Sequence, residues 1–168
     1  MNQIHFIEGP VGAGKSTYAK ALAKTDGFTH IALDEWFVQL YSPDRPAGNF
    51  VPWYVERKDR LIELILSYAR TVLATNSIAL ELGLIQQGPR LALLRQLQDE
   101  GIPFCEHVLD APKNVRRERV QRRNAEQGET FSMVVPDEIF DIASSLWEAP
   151  DEFEQEEFVF VFPATASR

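Results

Sequence analysis

Gly9-Pro10-Val11-Gly12-Ala13-Gly14-Lys15-Ser16-Thr17 is the stretch that decides how this chain reads. Gly9, Gly14, Lys15 and Ser16 meet the pattern G-x-x-x-x-G-K-[ST] in full. The context fits as well, with the apolar run Ile4–Ile7 before it and the helix-forming run Lys15–Lys24 after it. Glycine lets the backbone take conformations closed to other residues and approach a ligand closely. The amides of Gly9, Gly12, Ala13, Gly14, Lys15, Ser16 and Thr17 then form an anion-binding concavity at a helix N-terminus. Lys15 supplies a point charge for the β- and γ-phosphates, and the Ser16 hydroxyl is placed to ligate magnesium. The motif predicts a bound purine nucleoside triphosphate. No guanine-reading N-K-x-D occurs in the sequence, which favours ATP over GTP.

Outward from the loop, strand-like and helix-like stretches alternate. His30–Leu33, Ser77–Leu82, Phe104–Leu109 and Phe158–Phe162 read as further strands. Between them, Trp53–Ala74, Pro89–Glu100, Pro112–Gln127 and Pro136–Trp147 read as helices, with Gly128 closing the third and 41–52 a Pro- and Gly-containing loop. This order predicts an α/β chain with a mostly parallel five-stranded sheet and helices on both faces, the three-layer P-loop NTPase arrangement. Ligands of such sheets bind beyond the carboxyl ends of the strands, where Gly9, Asp34 and Glu81 all fall.

The 168 residues suit a single domain, 1–168, with an apolar fraction of 45%. No apolar run approaches a membrane span, no signal peptide is evident, and the single Cys105 allows no internal disulfide, so the cytoplasm is the expected compartment. A net charge of −8 argues against a long nucleic acid as partner. Charge is uneven: 113–123 is basic, and 148–157 is acidic, either a surface connection to the last strand or a shield over a base pocket.

The loop GPVGAGKST, the strand end LDEWF, the strand SIALELGL and the segment VLDAPKNVRRERVQRRN occur in the order seen in small P-loop kinases. From Ile4 to about Trp147 the chain resembles the compact kinase-like ATP-binding proteins of the AAA-type ATPase group. These include polynucleotide 5′-kinase, zeta toxins and chloramphenicol phosphotransferase; shikimate and gluconate kinases are more distant. The resemblance implies ATP and Mg2+ as cofactors, a hydroxyl acceptor, and a helical lid over about 112–128.

Phosphoryl transfer to a hydroxyl needs a group that orients the acceptor and takes its proton. Asp34, at a strand end beside the phosphate loop, fits that role, which the matching aspartate has in the resembled families; it also fits a helix cap. Glu81 is the one acid in an apolar strand, a costly position unless a cation or partner is near. The resembled kinases often carry aspartate there, near magnesium, and glutamate is a departure. Arg116, Arg119 and Arg123 share a helix face, with Arg122 close to it. The resemblance assigns Arg119, Arg122 and Arg123 to a phosphate-clamping lid.

The acceptor is expected against Trp36, Phe37, Tyr41, Trp53 and Tyr54, with Arg45 and Arg57 as counter-charges. A basic channel near those two arginines would favour an oligonucleotide. His5, His30 and His107 are scattered along the chain and suggest no metal cluster, and Cys105 reads as a small core residue. The leading expectation is an ATP-dependent kinase for a small-molecule hydroxyl. Its rivals are a polynucleotide or nucleoside 5′-kinase, a zeta-like nucleotide-sugar kinase, and a nucleotide-driven switch acting on a protein partner.

Overall fold

Strand β1 (Ile4–Glu8) is buried along its whole length and occupies the centre of the sheet. The computed structural model describes residues 1–163. With β2 (Thr29–Ala32), β3 (Ile78–Glu81), β4 (Phe104–Val108) and β5 (Phe160–Val161), β1 forms a five-stranded sheet in the order β2-β3-β1-β4-β5. Every pairing is parallel. The helices are α1 (Lys15–Asp26), α2 (Leu33–Tyr41), α3 (Phe50–Val72), α4 (Gln87–Asp99), α5 (Lys113–Glu126), α6 (Asp137–Leu146) and α7 (Glu152–Glu157). Among the described residues no helix is long and apolar enough to cross a membrane.

The period of two along each strand divides the core into unequal halves. Ile4, Phe6, Ile78 and Leu80 point to one face, where Leu61, Ile65 and Ala69 of α3 and Leu93, Leu94 and Leu97 of α4 cover them. Ile7 and Ala79 point to the other, where Ala19 and Leu22 of α1 pack. The small side chains Ala79 and Ala19 let α1 lie close to the sheet, and so bring its first turn to the strand ends. Gly9 (φ 145°) belongs to the same close fit: a Cβ there would stand 2.1 Å from the Leu109 carbonyl oxygen.

Several expectations are corrected. β3 lies between β1 and β2, so Asp34 follows a strand one place removed from the phosphate-loop strand, and Glu81 ends the adjacent one. α2 starts at Leu33 with Ala32 as its N-cap, so Asp34 sits in the first turn and is not the cap. α3 starts three residues before Trp53, with Pro52 in its first turn, where a missing N–H costs nothing. Gln127 (φ 46°), not Gly128, caps α5. The acidic segment contains α7, closed by a capping box between Asp151 and Glu154. Glu154 is buried there and pairs with buried Arg90 of α4 at 2.9 and 3.0 Å. That segment anchors the end of the chain to α4 rather than lying free on the surface.

The histidines are also not scattered in space. Parallel pairing sets His5 opposite Cys105 and Ile7 opposite His107, which places His5, Cys105 and His107 on the α1 face together.

Candidate active site

Four elements converge where β1 and β3 end. α1 begins at Lys15 directly after the left-handed Gly14 (φ 98°), so its free amides face the phosphate loop. Lys15 Nζ donates to the carbonyls of Gly9 at 2.8 Å and Pro10 at 3.0 Å, lying back along its own loop. Burial pulls its ammonium below the usual range, against the opposing pull of Glu81, Glu8 and Asp34.

Ser16 and Glu81, the two residues expected to serve a metal, are in contact: Ser16 Oγ donates to Glu81 Oε2 at 2.9 Å. The other carboxylate oxygen of Glu81 lies 2.8 Å from His30 Nε2. His30 pairs in register with Ala79 and so shares the face of Glu81. A hydroxyl that donates to a carboxylate keeps its lone pairs directed away from it, which is how an outer partner orients a ligand oxygen. His30 was missed from sequence, since its meeting with Glu81 depends on strand order.

Asp34 is exposed to solvent, with protein packed around its carboxyl. That enclosure raises its pKa above the ordinary carboxylate value, opposed by the charges of Lys15 and Lys58. Lys58 is a second residue the sequence reading missed. It donates to the Gly83 carbonyl at 3.0 Å, just beyond Glu81. Its signal was available in the helical spacing of Tyr54 and Lys58, one turn apart on α3. Tyr54 also faces Asp34: burial first, then the Asp34 charge, raise its hydroxyl pKa well above normal.

The lid arginines separate into three kinds. Arg116 is a brace: it is buried and donates to the Val11 carbonyl at 2.9 Å, the Ala111 carbonyl at 3.0 Å and Ser144 Oγ at 3.1 Å. It holds the phosphate loop from α5 and is not available to clamp. Arg119 approaches the loop, with Nη1 3.9 Å from where a Cβ on Gly14 would lie. Arg123 is half-buried within the field of Asp34 and Glu81, and its Nε is buried without a hydrogen-bond partner. Arg122 is exposed. Thr17 is exposed too, on an open groove along α1 shared with Lys20, Lys24, Glu129 and Thr130.

Of the expected acceptor wall, Phe37 is core, packed edge-on against Trp53 and Tyr41. Arg45 and Arg57 stack over Phe50 and Trp53 at 4.2 and 4.6 Å, tying both guanidiniums to the α3 N-terminal region.

A phosphate loop ahead of α1, an all-parallel sheet and a basic helix over the strand ends define a P-loop kinase-like protein. The chain belongs to the AAA domain family, whose model matches residues 4–145. Among solved structures it is similar to a gluconokinase from Sinorhizobium meliloti 1021, at 18% identity and TM-score 0.56, over 98% of this chain and 84% of that one. A sugar kinase from Janibacter sp. HTCC2649 gives 15% identity and TM-score 0.55 over 97% and 85% of the two chains. A chain of the Pnkp1/Rnl/Hen1 RNA repair complex gives 17% identity and TM-score 0.62 over 94% of this chain and 46% of that one.

Proposed function

We propose that this protein is an ATP-dependent phosphotransferase acting on a hydroxyl group of a small molecule. The observation that carries the reading is the contact between Ser16 and Glu81 at the phosphate loop, with Lys15, Asp34 and Arg123 within electrostatic reach of Glu81.

The donor set suits a triphosphate with magnesium. Loop amides, the Lys15 ammonium and two arginines supply positive charge, and the buried Nε of half-buried Arg123, without a partner among the described residues, suits an anion. Hard oxygen ligands of the Ser16 and Glu81 type suit magnesium. When bound, Mg-ATP supplies the transferable γ-phosphoryl group and the cation that offsets its charge.

The chain's own residues divide the remaining work. The loop from Gly9 to Thr17 and Lys15 hold the phosphates. Ser16 would hold the metal through its hydroxyl, with Glu81 orienting that hydroxyl and adding negative charge beside the ion. Asp34 accepts the proton of the acceptor hydroxyl, and its raised pKa brings it nearer working pH, which favours proton transfer. Arg119 and Arg123, with Arg122 at the outer edge of α5, stabilise charge on the transferring group. Closure of the 112–128 lid excludes water, which otherwise competes as acceptor.

The acceptor lies beside Tyr54, Trp53 and Lys58, against the start of α3. The arginine–aromatic pairs at Arg45 and Arg57 support a second reading, a 5′-hydroxyl oligonucleotide whose bases stack there. Transfer from γ-labelled ATP to a panel of sugars, nucleosides, nucleotide sugars, aminocyclitols, phenolic antibiotics and 5′-hydroxyl oligonucleotides tests both. Label on a small molecule supports the first reading and label on the oligonucleotide the second. Magnesium-dependent hydrolysis that no acceptor diverts points instead to a nucleotide-driven switch.

A further inference from the structure

A second cluster of ligating side chains lies on the α1 face, nearer the amino ends of the strands. His5 Nδ1 and His107 Nε2 are 2.9 Å apart, and Cys105 Sγ is 3.2 Å from each. All three residues are buried, at 8%, 6% and 6% exposure. We infer that His5, Cys105 and His107 form a binding site for a thiophilic divalent cation, with zinc as its natural occupant.

Proton counting favours a cation over a hydrogen-bonded trio. Each neutral imidazole offers one N–H and one lone pair, and the thiol one weak donor. In a triangle of mutual contacts these protons satisfy at most two sides, for example S–H to His107 Nε2 and His5 Nδ1–H to sulfur. The 2.9 Å side between His5 Nδ1 and His107 Nε2 then has no hydrogen bond of its own, and if His5 Nδ1–H donates to His107 Nε2 instead, both contacts of the sulfur go without one. A metal ion satisfies all three donors at once.

The dimensions agree. A point equidistant from the three atoms lies about 1.8 Å from each in their plane, and an ion raised roughly 1.2 Å from that plane and shifted slightly away from the sulfur lies about 2.05 Å from each nitrogen and about 2.3 Å from sulfur. Imidazole nitrogen and thiolate sulfur are both zinc donors, and three of them leave one position of a tetrahedral site over. Water can complete it, and the Gln3 side-chain amide, whose Nε2 donates to the sulfur at 3.8 Å, supports the thiolate from outside.

The outer shell is in place. Tyr18 Oη lies 2.8 Å from His107 Nδ1; accepting the Nδ1 proton, it fixes the tautomer whose Nε2 lone pair faces the cluster. His5 is stacked on Phe28 at 4.5 Å, which holds its ring plane. Asp26 bears electrostatically on His5 and Tyr18 and offsets the positive charge of a bound complex. On binding, the Cys105 S–H proton leaves to solvent and the thiolate donates to the metal, with no change in oxidation state. The ion links β1 to β4 and, through Tyr18, to α1, so it acts as a clip beneath the phosphate loop.

The test uses the untagged full chain and cobalt(II) as a spectroscopic stand-in. Because Cys105 is the only cysteine, a thiolate-to-cobalt charge-transfer band can arise at no other position. One equivalent of cobalt is expected to produce the band and one equivalent of zinc to abolish it. His107→Gln is expected to weaken binding at least about 10-fold. Zinc is expected to raise the melting temperature of the wild type and not of Cys105→Ser. Absence of the band in the folded wild type overturns the proposal, even if neither variant folds. So does equal zinc stabilisation of wild type and folded Cys105→Ser, which would place the metal elsewhere, at Glu81 and His30 for example.

Discussion

Glu81 and Glu106 are both glutamates on inner strands of one sheet, and both are buried, yet their surroundings are opposite. Glu81 points to the α1 face and has a partner at each oxygen, Ser16 and His30. Glu106 pairs in register with Phe6, points to the α3–α4 face, and has no hydrogen-bond partner at either oxygen among the described residues. Burial, reinforced by the nearby Glu8, raises its pKa well above the ordinary carboxylate value. Glu8 on the same face is pushed up to about 7, again by burial first, despite Lys15, Arg90 and the Leu84 amide. A buried acid supplied with donors has its burial cost offset, whereas one without them carries that cost into the fold. Burial alone does not separate the two; their partners do.

The largest effect expected on the ligand side is at Asp34. Asp34→Asn removes the proton acceptor and is expected to lower phosphoryl transfer by about 10²–10⁴-fold while leaving ATP affinity within a few-fold, read by steady-state kinetics and calorimetry. Loss of ATP binding in parallel would make Asp34 a binding residue instead. Glu81→Gln is next. It keeps the shape but weakens acceptance from Ser16, and a 10–100-fold rise in the magnesium concentration for half-maximal turnover is expected, on the order seen for outer-shell changes. An unchanged magnesium dependence would erase the contrast with Glu106.

Glu106→Gln has the smallest effect and the opposite sign. A carboxyl whose pKa is raised on folding stabilises fully below its unfolded value and loses that contribution as pH rises through the folded value. Wild-type stability is therefore expected to fall between about pH 4.5 and 7, the window set by Glu8 and widened upward by Glu106. Urea unfolding of Glu106→Gln should show a shallower fall and a gain on the order of 1 kcal/mol at pH 7, with turnover unchanged. A steeper fall in the variant would contradict the assignment.

Local signals made most of this legible in the sequence. The phosphate loop, the alternation of strands and helices, and the acid within Ser77-Ile78-Ala79-Leu80-Glu81 are written in neighbouring residues. Non-local pairing hid the rest. That β3 enters between β1 and β2 follows from no local pattern, and with it went the meeting of His30 with Glu81. His5 and Cys105 are 100 positions apart, and only their register joins them. Arg116 carries the same spacing signal as Arg119 and Arg123, but the closeness of α5 to Val11 turns it into a brace. The acidic run 148–157 reads as surface until Arg90 is seen buried opposite Glu154.

The most direct test of the central claim is calorimetric titration of ATP into the wild type and Lys15→Ala, each with magnesium and with chelator. The account predicts one site, dependent on magnesium, with affinity lower by roughly 100-fold in the folded variant. Equal affinity in wild type and folded Lys15→Ala, or no binding by the wild type, would contradict it.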